Sequence, residues 1–222
     1  MPIAFESSGT ATTTVGSISF SYNNTGDLLL LGFMISDNGN PGTVQYGGVN
    51  MTKLGSIAAR DAATGVWMYG QLAPTLGANN VVINTADNNT VLRAIAAGYS
   101  GVVQTGLPDA VGSTRNTGTV SSLAGTVTTV LDNCFVSTFC YGNTNGSMTA
   151  AAGATQRVTV GTGPMVMFMD SGTAITPPGL KVETVTMVTE STVESGLVIV
   201  SFAPFIANSI SGYKSLLGVG QG

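Results

Sequence analysis

The side chains able to do chemistry are few, and histidine is missing altogether from the 222 residues. Its absence removes Ser-His-Asp and Cys-His catalysis, His-ligated zinc, and the group that most readily moves protons near neutral pH. Gly98-Tyr-Ser-Gly-Val102 lacks the closing glycine of a nucleophile elbow and has no base to serve its serine. Cys134 and Cys140 are the only cysteines, too few for a four-ligand zinc site. Glu190 and Glu194 are a possible acid pair, but on a strand they stand roughly 13 Å apart. Glycoside hydrolysis needs about 5–9.5 Å. The closer Glu-x-Asp-x-x-Glu spacing does not occur in residues 183–194. Asp37-Asn38-Gly39-Asn40 and Asp87-Asn88-Asn89 offer oxygens to calcium, yet each has one carboxylate where tight sites use several, and the same residues make ordinary turns. Trp67 and Tyr69 share one face of an expected strand. They suit either a sugar-stacking platform or, as is commoner for a central Trp, a core. The chain is therefore expected to be no enzyme, with no cofactor and no metal.

Composition points instead to surface contact. Only 7 Lys+Arg and 11 Asp+Glu are present, 8% of residues, against 43% hydrophobic, and the net charge is −4. Mean hydropathy is +0.34, whereas an average soluble protein is about 25% charged. A folded chain of this mass exposes roughly 9,000–10,000 Å², which leaves on the order of one charge per 500 Å². A surface of Thr, Ser, Asn, Gly and apolar atoms is the kind that a partner covers. Lys53, Arg60, Arg93, Arg115, Arg157, Lys181 and Lys214 are scattered singly, so there is no basic stripe for nucleic acid. The longest apolar stretch, Leu28–Ile35, is broken by Gly32 and is far short of the ~20 residues a membrane helix needs. Residues 1–6 carry no basic segment followed by an apolar one, so no secretory signal is expected.

The elements that would position these residues are strands. Val/Ile/Thr/Phe-rich runs recur between Gly, Asn, Asp and Pro clusters, with no sustained helical period. Strands are expected at 3–6, 17–22, 28–36, 44–46, 51–57, 66–72, 81–85 and 92–100, then at 117–122, 126–130, 134–141, 156–160, 165–170, 184–189 and 197–204. Cys134 and Cys140 would lie on one strand face roughly 20 Å apart. That separation is too long for a disulfide and fits free thiols buried in a reducing cytosol. The halves echo each other at offsets of about 100–105 residues: Asp27–Met34 with Asp132–Phe139, Val66–Tyr69 with Val166–Met169, and Leu92–Tyr99 with Leu197–Ala203. Either one large sandwich or two tandem ones would follow. The bridge 104–115 is no polar linker, so a single domain is expected over 1–205, with pseudo-repeat halves at about 13–103 and 116–205.

Several strands are apolar on both faces, although an antiparallel sheet normally leaves one face wet. Loops, the other half or a neighbouring subunit must cover the second face. If a neighbour does, Leu29, Leu31, Phe33, Met165, Met167 and Met169 are its contacts. Residues 206–222 form a tail or arm, and Tyr213, Leu216 and Leu217 would dock it on a neighbour or on its own sandwich.

The stretch 17–102 resembles a β-sandwich pattern of tailed-phage virion proteins. The resemblance rests on Gly26-Asp27-Leu-Leu-Leu-Leu31, on Tyr46-Gly47-Gly48 with Met51-Thr52, on Val66-Trp67-Met68-Tyr69, and on Ala96-Ala97-Gly98-Tyr99-Ser100-Gly101-Val102. It implies a jelly-roll-like capsid decoration, head-fibre or tail-associated protein, often a homotrimer. The expected fold is an all-β antiparallel two-sheet β-sandwich, jelly-roll-like, with quasi-repeated halves. The expected function is a non-enzymatic virion structural protein, a capsid decoration (cement) protein contacting the major capsid or another virion protein. It would be made and assembled in the host cytoplasm, apart from nucleic acid and membrane. The alternative is a carbohydrate- or receptor-binding module of a tail or head fibre, built on Trp67 and Tyr69.

Overall fold

The structure is a computed structural model that describes residues 1–36, 40–60, 64–85, 91–103, 105–143, 146–188 and 194–205. Among the described residues every regular element is a β-strand and none is a helix. β-branched and aromatic runs suit a pleated, half-buried surface, and the glycines between them suit tight reversals. At Gly47 and Gly48 the backbone takes φ of 58° and 78°. The two-residue hairpin that pairs Tyr46 with Val49 requires such values.

The first half contains β1 (Ala4–Thr13), β2 (Ile18–Asn24), β3 (Leu28–Ile35), β4 (Pro41–Tyr46), β5 (Val49–Asn50), β6 (Thr52–Arg60), β7 (Thr64–Leu72), β8 (Gly77–Thr85) and β9 (Leu92–Ser100). They form two antiparallel sheets, ordered β1-β9-β3-β7-β6 and β2-β8-β4-β5. The second half contains β10 (Ala110–Asn116), β11 (Ser122–Thr128), β12 (Phe135–Gly142), β13 (Ser147–Ala150), β14 (Thr155–Val160), β15 (Met165–Asp170), β16 (Leu180–Val188) and β17 (Ser195–Phe202). Its sheets run β10-β17-β12-β15-β14 and β11-β16-β13. Strand for strand the order repeats, with only the two-residue β5 lacking a counterpart. Each half is thus an antiparallel two-sheet β-sandwich, and the ladders define equivalent residues. Leu28 pairs with Tyr99 as Phe135 pairs with Phe202, and Val66 pairs with Met34 as Val166 pairs with Tyr141.

The strands at 28–35, 92–100 and 165–170 lie where the sequence puts them. Others do not. β10 occupies 110–116, not 117–122, and β13 has no expected counterpart. β1 runs seven residues past the expected end, to Thr13. β1 and β10 are edge strands of small residues (AFESSGTATT and AVGSTRN) with only partial burial, so they carry almost no hydrophobic alternation. The repeat accordingly begins at Ala4 and Ala110.

The two five-stranded sheets pack face to face, and the smaller sheets cover their outer sides, giving four layers. Three cores lie between the layers. The central one joins Leu28, Leu30, Met34 and Met68 of the first half to Phe139, Phe168, Val198 and Phe202 of the second. The flanking cores belong to one half each. This arrangement accounts for the strands that are apolar on both faces: alternate residues of β3, β7, β9, β12, β15 and β17 enter a flanking core and the central core in turn. The second face is covered by the other half of the same chain.

Candidate functional site

Leu29, Leu31 and Phe33 are fully buried in the first half's own core. Met167 and Met169 are fully buried in the second half's core, with Met165 only 7% exposed. These six therefore cannot serve as contacts for a neighbour: they already pack against the small sheet of their own half. The sugar platform does not form either. Trp67 is 7% exposed and stacks on Phe33 at 5.7 Å, while the half-buried Tyr69 stacks on the same ring at 5.5 Å. Tyr213, Leu216 and Leu217 lie outside the described residues, as do Asp37–Gly39, Asp87–Asn89 and Glu190. Cys134 and Cys140 are buried free thiols. Burial and the adjacent Asp109 carboxylate push Cys134 up to about 12, and burial raises Cys140 further.

The outward face of the three-stranded sheet is exposed. In β16 the residues Glu183, Val185 and Met187 point inward, which leaves Leu180, Val182, Thr184, Thr186 and Val188 on the outside. β11 adds Ser122, Ala124, Thr126 and Thr128, and β13 adds Ser147 and Thr149. None of these side chains is charged. Thr128 stands opposite Leu180 and Thr126 opposite Val182. One residue beyond the ladder, the Thr129 amide donates to the Gly179 carbonyl at 3.0 Å, so Val130 continues the outward row beside Leu180. Leu180 is 68% exposed, Val130 64%, Val188 61% and Val182 48%. Sequence reasoning missed this face because β16 was expected to begin at 184 and because its charges, Lys181 and Glu183, fall on the inward side. The signal was present: Val185 and Met187 set the inward parity, and counting back by twos puts Leu180 and Val182 outside.

The opposite outer face, on β2-β8-β4-β5, presents Ser19, Ser21, Asn23, Asn80, Val82 and Asn84. It too is uncharged, but it is rich in amides rather than apolar. No charged side chain among the described residues occupies an outward position on either outer sheet.

One ion pair, Arg157 with Asp170, lies at the junction of the halves. Asp170 is fully buried and accepts from Arg157 Nε at 2.6 Å, Arg157 Nη2 at 2.9 Å, the Gly172 amide at 2.9 Å and the Tyr99 hydroxyl at 3.0 Å. Ser137 Oγ donates to the Tyr99 hydroxyl at 2.9 Å, and the Arg157 guanidinium lies 4.4 Å from the centre of the Phe5 ring. Burial and the neighbouring Asp170 hold the Tyr99 phenol well above its ordinary range. Asp170 thus accepts four hydrogen bonds, and the network ties Tyr99 of the first half to Ser137, Arg157 and Asp170 of the second. A second buried acid, Glu183, accepts from Thr138 Oγ1 at 2.7 Å inside the second flanking core.

Of four clefts among the described residues, one holds Arg93 as its only charged side chain, one holds Glu6, and two hold none. One of the two without charge, about 510 Å³, opens between Met1, Pro2, Ile3, Asn133, Ala174, Pro204 and Phe205. No set of three His, Cys, Asp or Glu among the described residues is placed to hold a metal ion. No family model, curated protein or solved structure matches the chain.

Proposed function

We propose that the chain is a non-enzymatic structural protein of a virion, a capsid decoration protein that acts by laying an uncharged β-sheet face on a neighbouring subunit. The observation that carries this reading is the outward face of β11-β16-β13. Eleven outward side chains are uncharged, and the Leu180, Val182 and Val188 side chains among them are about half to two-thirds exposed. An uncharged face of hydroxyl and exposed aliphatic side chains is weakly solvated, and the absence of charge suits a partner held by shape and apolar contact. The scarcity of charge along the whole chain and the resemblance of residues 17–102 to tailed-phage virion proteins agree with it. A homotrimer seated on a major capsid or other virion protein is the proposed assembly.

Light scattering at micromolar concentration tests the contact, and immunogold electron microscopy of virions tests the location. An assembly larger than one chain is expected for the wild type. Val182→Lys together with Leu180→Asp is expected to dissolve it while changing unfolding stability by less than about 1 kcal/mol, as exposed positions generally do. A wild-type chain that stays monomeric and labels no particle would refute the proposal. The sugar-binding alternative has lost its platform, because Trp67 packs in the core.

A further inference from the structure

The inner sheets meet about a pseudo-two-fold axis. β6 and β7 of the first half lie against β10, β12 and β17 of the second; in return β14 and β15 lie against β1, β3 and β9, and β3 lies on β12. Such reciprocity marks an isologous contact between equivalent units. Gly32 pairs with Ile95 and Met68 as Phe139 pairs with Val198 and Phe168, so positions 32 and 139 are equivalent. These two equivalents touch each other: a Cβ on Gly32 would fall 2.2 Å from the Phe139 ring. They therefore sit on the axis. Two first halves would put glycine on glycine and leave a void there, whereas two second halves would force two phenyl rings into the space of one.

A second asymmetry lies off the axis. A β-bulge between Lys53 and Gly55 turns Leu54 over Gly70, and the equivalent bulge between Gln156 and Val158 turns Arg157 over Asp170. Leu30 stands at the position of Ser137, and Phe202 at that of Tyr99. Tyr99 comes from the first half, while Arg157, Asp170 and Ser137 come from the second. The network therefore closes only between unlike halves. A pair of second halves would offer Asp170 the ring of Phe202, with no hydroxyl to donate. A pair of first halves would bury the Tyr99 hydroxyl against Leu30, Leu54 and Gly70.

We propose that the inner faces are a heterospecific interface: each half of the chain recognises the other half, rejects a second copy of itself, and holds without the covalent bridge. To test this, a site-specific protease sequence is inserted between Thr105 and Gly106, both exposed on the bridge, and the folded protein is cut. At about 1 μM the fragments are expected to co-elute with the mass of the uncut chain, as a sub-micromolar pair must. After unfolding in urea and dilution they are expected to return as a one-to-one pair of unlike halves. Fragments that separate on cutting, or that regroup like with like as readily, would overturn the proposal. The axis is tested in the uncut chain by exchanging its residues. Gly32→Phe and Phe139→Gly each lower the melting temperature, and the double variant is expected to recover at least half of the summed loss. A double variant that only adds the two losses would overturn the assignment.

Discussion

Glu183→Gln removes an acid from inside the second sandwich, and its consequence should be visible only in the pH dependence of stability. Glu183 is 1% exposed; Oε2 accepts from Thr138, and Oε1 is buried without a hydrogen-bond partner. Burial raises its pKa from the ordinary 4.5 to about 7, with the Asp170 charge adding slightly; the Thr138 bond and the Lys181 charge oppose the rise without cancelling it. Below pH 4.5 the carboxyl is protonated whether the chain is folded or not, so it adds no pH-dependent penalty. Between 4.5 and 7 the unfolded chain releases the proton while the folded chain keeps it, and stability falls as pH rises. Above 7 both states are ionised and the full cost remains, about 3 kcal/mol at 1.36 kcal/mol per pH unit. Urea unfolding from pH 4.5 to 8.5 measures this. Relative to wild type, the glutamine variant should gain about 3 kcal/mol across the interval, nearly all of it between pH 4.5 and 7. Parallel pH profiles for the two proteins would refute the argument. The other half suggests a stricter version. Leu31 stands where the second half has Thr138, and β8 points Val81 and Ile83 inward where β16 points Glu183, Val185 and Met187, so Thr138→Leu with Glu183→Val should abolish the slope and exceed wild-type stability at pH 8.

Arg157→Leu leaves the Asp170 carboxylate buried without its cation, at an expected cost of about 3–5 kcal/mol by urea unfolding. Adding Asp170→Gly and Tyr99→Phe copies the Leu54, Gly70 and Phe202 set without stranding the Tyr99 hydroxyl and should recover more than half of that loss; a triple variant no better than the single would contradict the equivalence. At pH 8 the Cys134 and Cys140 thiols should resist a disulfide reagent for as long as the chain stays folded, since burial keeps both protonated, and react at once in urea. Rapid labelling of the native chain would show that one of them is accessible.

Much of the fold was legible in the sequence. Apolar runs such as Leu28–Ile35 and Met165–Asp170 announced strands because they are only eight and six residues long and are bounded by turn formers. The repeat was visible in the same runs, though two residues out of register at β3 and β12: a slip of two keeps every side chain on its own face, so hydrophobic pattern alone does not detect it. Edge strands were the weak point. β10 and β13 bury little, and their sequences carry no alternation strong enough to read.

The candidate contact face was missed for a different reason. A sequence shows how apolar a strand is on each side but not what covers that side. The sequence alone determined an antiparallel sandwich with repeated halves, no histidine chemistry, and a surface poor in charge. Only the tertiary structure decided that the doubly apolar strands cover one another, which withdrew Leu29, Leu31, Phe33 and the three methionines from any partner and left Leu180, Val182 and Val188 outside. The physical reason is that burial belongs to pairs of surfaces. Periodicity marks which residues must leave water, while the packing of one half on the other determines which of them already have.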